Sequence, residues 1–370
     1  MRVFEIKPHR WRWKVFEAAG VEPVFPKKRF RNGQRLDGGV KITNAGTLSL
    51  AIFLMGAVSC YASVGFQQVT VPDNQGKPLA VAIWYPSRSF AESRPLGMFT
   101  QVVAVNGEVT GTLLPLVLIS HGNSGSFASH YDTALALAEA GFVVAALTHT
   151  RDNYVDQSYA GNQIDLVDRP RQVKCLADYM ISAWTGHSHV DTKRIGIFGF
   201  SLGGFTALVE VGGMPDLSRM AQLCSTRPEA PECSFIAQRH GDQLKPASGR
   251  PAWVHDPRIK AAAVVAPAVS YLFGSGGLSE VKIPILLWRA EKDRQAPDLW
   301  NSAVVRSELP TPPQERVVPG ADHFVFLAPC SATLAKTVPA ICEDPPGVDR
   351  LAFHKEFNRT VVAFFRETLR

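Results

Sequence analysis

The segment that most constrains this chain is the apolar run Ile195-Gly196-Ile197-Phe198 passing directly into Gly199-Phe200-Ser201-Leu202-Gly203-Gly204. The run has the character of a buried strand over 194–200, and Thr206-Ala207-Leu208-Val209 begins a helix on the far side. A strand that reverses into a helix around one residue needs small residues two positions either side of the apex. A Cβ there would meet the returning backbone. Glycine stands at both places and serine at the apex. The pattern lifts the Ser201 hydroxyl above a sheet, where it can act as a nucleophile. A glycine-rich turn with an incidental serine is the alternative. It gives no reason for the strand before and the helix after.

The rest of the body alternates in the same way. Residues 65–71 and 79–85 flank the turn Pro72-Asp73-Asn74-Gln75-Gly76 and read as an antiparallel hairpin at a sheet edge. Apolar strands are expected over 116–120, 142–147, 259–267 and 283–288, with a last short one over 315–319. Between them a helix over 129–140 stops at Gly141, and an amphipathic helix covers 169–185. Further helices are expected over 297–308 and at the C-terminus, where Phe353, Phe357, Val361, Phe364 and Phe365 face inward. Apolar strands separated by helices imply an α/β fold, a mostly parallel central sheet with helices on both faces. Residues 213–258 break the rhythm. Rich in Pro, Gly, Ser and Cys, they read as a cap-like insertion over the carboxyl ends of the strands, where such sheets bind ligands.

A serine nucleophile needs a base, a group that orients the base, and donors for the developing oxyanion. His323, in Pro319-Gly320-Ala321-Asp322-His323-Phe324, alone among ten histidines lies in a glycine-containing loop directly after a strand. Asp293 lies beyond the preceding strand, where an orienting carboxylate belongs, with Glu291 and Asp298 as rivals. The order Ser…Asp…His then matches the nucleophile-elbow arrangement. One donor is the Leu202 N–H, at a helix start. The second is assigned to the Asn123 N–H in Ser120-His121-Gly122-Asn123-Ser124-Gly125. His121 is read as a brace of that loop. His149, His130, Phe324 and Phe205 are candidates for the substrate pocket, with Phe326 and Leu327 nearby.

Charge and cysteine placement narrow the setting. The net charge of +6 belongs to the first 45 residues, which carry eleven Lys or Arg against four Asp or Glu, so the remaining 325 residues sum to −1. No basic face for nucleic acid is implied. Residues 47–58 form an apolar run shorter than the roughly twenty residues of a membrane span, and read as the core of a secretory signal. Residues 1–62 are therefore expected to be a leader, with a real start near Val40 and a cut after Ala62, and 63–370 the folded domain. Cys60 is a weak lipoprotein-type processing site that would anchor the protein to a membrane. Export makes disulfides plausible. Cys224 with Cys233 and Cys330 with Cys342 is the local pairing, one of three possible. No His stands at finger-like spacing from either pair, which argues against a metal. The C-terminal helix carries no clear dimer signal.

The stretches GFQQVTVPDNQGKPLAVAIWYPS, LVLISHGNSG, FVVAALTH, RIGIFGFSLGGFTAL and VPGADHFVFLAPC together resemble the predicted dienelactone hydrolases and platelet-activating-factor-acetylhydrolase-like esterases of the α/β-hydrolase superfamily, over about residues 64–369. The resemblance implies the α/β-hydrolase fold, a triad of Ser201, His323 and Asp293, an oxyanion hole from Asn123 and Leu202, and no cofactor; small or lipid-like esters are the expected substrates, the latter because Phe324, Phe326, Leu327 and Phe205 would make an apolar pocket for acyl chains. Dienelactone hydrolases carry cysteine at the elbow. Ser201 departs from that and favours general ester hydrolysis over lactone opening. A catalytically silent binding protein on the same fold, and a serine peptidase, are the competing readings.

Overall fold

Side-chain alternation along two strands sets the layers. Every residue of the strand Val143–Thr148 is buried. Val143, Ala145 and Leu147 enter one apolar cluster, while Val144 and Ala146 enter a second on the opposite face. The strand Leu114–Ser120 divides likewise, Leu116 and Leu118 against Val117 and Ile119. Strands apolar on both faces must be covered on both, so helices have to lie above and below the sheet. The computed structural model describes residues 63–240 and 251–370. All fall within the compact unit Cys60–Arg370. The expected signal run, Cys60 and cleavage site lie outside the described residues.

In chain order the elements are β1 (Ser63–Val71), β2 (Leu79–Ser87), β3 (Glu92–Leu96), β4 (Phe99–Val105), β5 (Leu114–Ser120), α1 (Tyr131–Glu139), β6 (Val143–Thr148), α2 (Gln163–Ser182), β7 (Val190–Phe200), α3 (Leu202–Glu210), α4 (Ser218–Thr226), α5 (Pro231–His240), β8 (Ile259–Val265), β9 (Ile285–Ala290), α6 (Ser302–Glu308), β10 (Gln314–Val318), α7 (Ala332–Thr337) and α8 (Arg350–Thr368). The ten-stranded sheet runs β10-β9-β8-β7-β5-β6-β2-β1-β4-β3. From β10 to β6 all neighbours are parallel. Helices α2 and α3 pack on one face through residues such as Val173, Leu176 and Phe205. Helices α1 and α8 cover the other through Leu137, Phe357, Val361 and Phe365. The chain leaves β5 toward β6 on one side and returns to β7 on the other. The strand tips of β5 and β7 therefore flank a topological switch point, the usual ligand crevice of an open α/β sheet.

Three sequence expectations need correction. The β1–β2 hairpin forms, but it is not the sheet edge. A second hairpin, β3–β4, lies outside it and closes through Gly97 at φ +58°. Glu92, Arg94 and Pro95 hide β3 from a search for apolar alternation, and those residues suit an edge that must refuse further strands. Helix α2 begins at Gln163 rather than 169, because the Asn162 side chain accepts the Ile164 N–H at 2.8 Å and caps it there. Pro170, which resembles a start signal, sits inside the helix. The insertion is more regular than its composition suggests: it holds α4 and α5, stapled by Cys224–Cys233. Glu232 on α5 accepts from Asn301 after β9, and Arg239 on the same helix donates to Gln157 after β6. The helix thus reaches between loops at the carboxyl ends of the strands. The second disulfide, Cys330–Cys342, closes the loop that contains α7, and Cys175 is a free thiol.

Candidate active site

The turn between β7 and α3 places Ser201 at φ +55°, ψ −119°, a conformation that costs a non-glycine residue about 1–3 kcal/mol. Hydrogen bonds hold it there. The Ser201 N–H donates to the Val265 carbonyl at 2.9 Å, and the Ser201 carbonyl accepts from Gly204 and Ala268. The flanking glycines are required sterically. A Cβ on Gly199 would lie 2.0 Å from the Gly203 carbonyl oxygen, and one on Gly203 would lie 2.0 Å from the Ser120 carbonyl oxygen.

His323 begins a 3-10 turn, His323–Phe326, after β10. Its Nε2 lies 2.9 Å from Ser201 Oγ and its Nδ1 lies 2.7 Å from Asp293 Oδ2. A carboxylate can only accept, so Nδ1 carries the hydrogen and Nε2 is left to accept the serine proton. The Asp293 carboxylate is itself oriented, since Oδ1 accepts the Gln295 and Ala296 N–H groups. Asp322 joins the two loops by accepting from the backbone of both His323 and Arg294. The rival carboxylates are engaged elsewhere. Glu291 accepts the Gly320 N–H, and Asp298 pairs with Arg306.

The loop after β5 lies against the serine, for a Cβ on Gly122 would come within 3.1 Å of Ser201 Cβ. Its shape follows from one histidine. His121 Nε2 accepts the His149 N–H at 2.9 Å, so its hydrogen sits on Nδ1 and is donated to the Gly122 carbonyl at 2.5 Å. Burial and the nearby Arg169 guanidinium hold this ring well below the usual histidine range, so it stays neutral. The Gly122 carbonyl also accepts from Gly125, which fixes the 122–123 peptide and turns the Asn123 N–H to the opposite side. Arg169 donates to the His121 carbonyl, and Asp152 accepts the Ser124 N–H at 2.8 Å. Among the described residues neither the Asn123 nor the Leu202 N–H meets a backbone carbonyl.

Sequence reasoning placed three side chains at the pocket that the structure puts elsewhere. His149 is fully buried, bonded to Ser120 Oγ and Gln172. His130 is packed between Phe198 and Phe200, and burial lowers its pKa to about 4. Phe205, on the buried face of α3, packs against Trp253 and Phe273. Their polar or aromatic character drew attention, but each follows the core face of its own segment. Phe324 is half-buried beside the His323 ring, 5.4 Å between centroids. Asp152, Arg169 and Asp322 were missed. Two adjacent charges in the loop after an apolar strand, Arg151-Asp152, were the available signal. Among the described residues no cluster of three or more His, Cys, Asp or Glu has the arrangement to hold a metal ion.

Residues 116–336, from within β5 to within α7, match the alpha/beta hydrolase family. Among solved structures, a ferulic acid esterase from Streptomyces cinnamoneus is similar with a TM-score of 0.57 at 16% identity, over 85% of this chain and 92% of that chain. Likeness at that identity concerns the fold. No curated protein matches significantly. A parallel sheet whose strand order reverses at β5, a serine on the turn after β7 and a family match across more than half of the sequence agree: the chain belongs to the alpha/beta hydrolase family.

Proposed function

We propose that the chain is a serine carboxylic-ester hydrolase acting through an acyl-enzyme. One observation carries the reading: an unbroken hydrogen-bonded path from Ser201 Oγ through both ring nitrogens of His323 to Asp293. Ser201 Oγ attacks the ester carbonyl carbon while His323 Nε2 takes its proton. Asp293 holds the tautomer and stabilises the imidazolium without becoming protonated. The Leu202 and Asn123 N–H groups donate to the carbonyl oxygen as it becomes an oxyanion, each worth on the order of 10²–10³ in kcat. Collapse breaks the bond to the alkoxy oxygen, which leaves with the proton from His323. Water, deprotonated by the same nitrogen, then attacks the acyl carbon and releases acid and Ser201.

The serine at the elbow favours general esters over the lactones implied by part of the resemblance. Phe324 beside His323 supports an apolar substituent on the substrate. The two disulfides support an oxidising destination, and hence export. A silent binding protein would have no use for a donor path ending on a conformationally costly serine. The test is turnover of p-nitrophenyl acetate, butyrate and longer esters, together with a feruloyl ester because the structural neighbour is a ferulic acid esterase. Hydrolysis that falls by about 10⁴–10⁶ in Ser201→Ala supports the reading. Absence of turnover on every ester by folded protein overturns it.

A further inference from the structure

Behind the 3-10 turn that carries His323 lies a second histidine with both ring nitrogens engaged. His354, on the buried face of α8, has Nδ1 2.6 Å from Asp132 Oδ2 and Nε2 2.8 Å from the Val325 carbonyl oxygen. A backbone carbonyl can only accept, so Nε2 must carry hydrogen. Asp132 Oδ2 also accepts the Asn358 amide at 2.8 Å, which fixes the carboxyl group against the ring. Burial pushes the Asp132 carboxyl up, but bonds from His354 and Asn358 and the charge of His354 outweigh it and hold the group below its usual range. His130 also faces this pair from the start of α1, and burial keeps that ring neutral. Thr133 completes the assembly by donating to Asn358 Oδ1 at 2.7 Å, and the rings of Phe353 and Phe357 flank His354.

Val325 is two residues from His323 and in the same turn. Val325 and Phe326 are buried, with the Phe326 ring against Trp288, Phe353 and Phe357, but the backbone of the turn makes few hydrogen bonds to the rest of the protein. Val325 N–H and Leu327 N–H bond within it, and Ala328 N–H reaches Ser129. Among the described residues, His354 is the side chain that bonds the Val325 carbonyl. We propose that His354 is a positioning residue for His323: held by Asp132, it pins the Val325 carbonyl and with it the turn, so that the His323 ring stays within reach of Ser201. This rests on the ester-hydrolase reading above. The link runs from α1 through α8 to the base, a path separate from Asp293 and Asp322.

His354→Phe keeps an aromatic ring and removes both donors. Displacement of the reacting base by about 1 Å costs on the order of 10² in rate, so kcat on p-nitrophenyl acetate is expected to fall about 10–100-fold, with KM within about twofold. His354→Gln retains an N–H that reaches the Val325 carbonyl, and recovers most of that loss. ¹⁵N spectra of the histidine-labelled wild type are expected to show hydrogen on Nε2 of residue 354, assigned by its loss in His354→Gln. The proposal is overturned by a folded His354→Phe with wild-type kcat, by a Gln variant no more active than the Phe variant, or by an Nε2 without hydrogen in the spectrum. If His354→Phe does not fold, the Gln variant and the spectrum decide. An inactive wild type instead defeats the ester-hydrolase reading, and the spectrum remains informative by itself.

Discussion

Replacing Gly203 by alanine adds a single methyl group at the most crowded point of the site. That methyl would stand 2.0 Å from the Ser120 carbonyl oxygen, 2.7 Å from its carbon and 2.8 Å from the His121 carbonyl oxygen. Ordinary contact begins at 3.4 Å, so α3 and the end of β5 must separate by about 1.4 Å. No flexible side chain can yield, because all three atoms are backbone. Overpacking of this kind costs about 1–3 kcal/mol. At about 2–4 °C per kcal/mol for a large domain, the melting temperature should fall by several degrees. Activity should suffer more. Ser201 lies on one side of this contact and the Gly122–Asn123 peptide on the other, and a shift near 1 Å between reacting groups costs on the order of 10² in kcat/KM. Gly97→Ala is the control. Its Cβ would meet nothing within 4 Å, although φ is +58°, so it carries about 1 kcal/mol of strain and leaves turnover unchanged. Thermal melts and p-nitrophenyl acetate kinetics on both variants check this. A Gly203→Ala protein as stable and active as wild type would refute the close approach of α3 to β5.

Asp293→Asn presents an amide to His323 and admits the wrong tautomer; kcat should fall by about 10⁴ with KM little changed, as steady-state kinetics will show. Cys224→Ser with Cys233→Ser opens a nine-residue spacing and should lower stability by about 2–3 kcal/mol in denaturant titrations, with no loss in a protein already reduced. Glu210 is buried without a partner for either carboxylate oxygen, and burial, reinforced by Asp256, raises its pKa well above the usual value. Its contribution to stability is therefore intact below about pH 4 and lost as pH rises toward the folded value. Glu210→Gln should melt higher than wild type at pH 8 and about equally at pH 4; equal melting at both would contradict the burial of a charge-prone group.

Much of the fold was legible because its strands are apolar on both faces and its helices are amphipathic, signals that composition writes directly. The elbow was legible for a different reason: Gly199 and Gly203 answer a steric demand that no other residue meets. The outer hairpin β3–β4 was hidden, since an edge strand is built to look unlike a core strand. The helices of the insertion were hidden by Pro, Gly and Cys content, and by stability borrowed from the Cys224–Cys233 staple rather than from periodicity. At the site, His323 and Asp293 could be placed because they follow strands. Asp152, Arg169 and His354 could not. They meet their partners only through tertiary packing, and a buried polar side chain has the same letter as an exposed one.

The central claim is that the Ser201 hydroxyl becomes covalently acylated. Rapid quenching of the enzyme with p-nitrophenyl butyrate, followed by digestion and mass mapping, tests it directly. A butyryl adduct on the peptide containing residue 201, absent from Ser201→Ala and lost on further incubation in water, is the predicted result. Steady turnover with no adduct on that peptide, or an adduct that persists in the alanine variant, would contradict it.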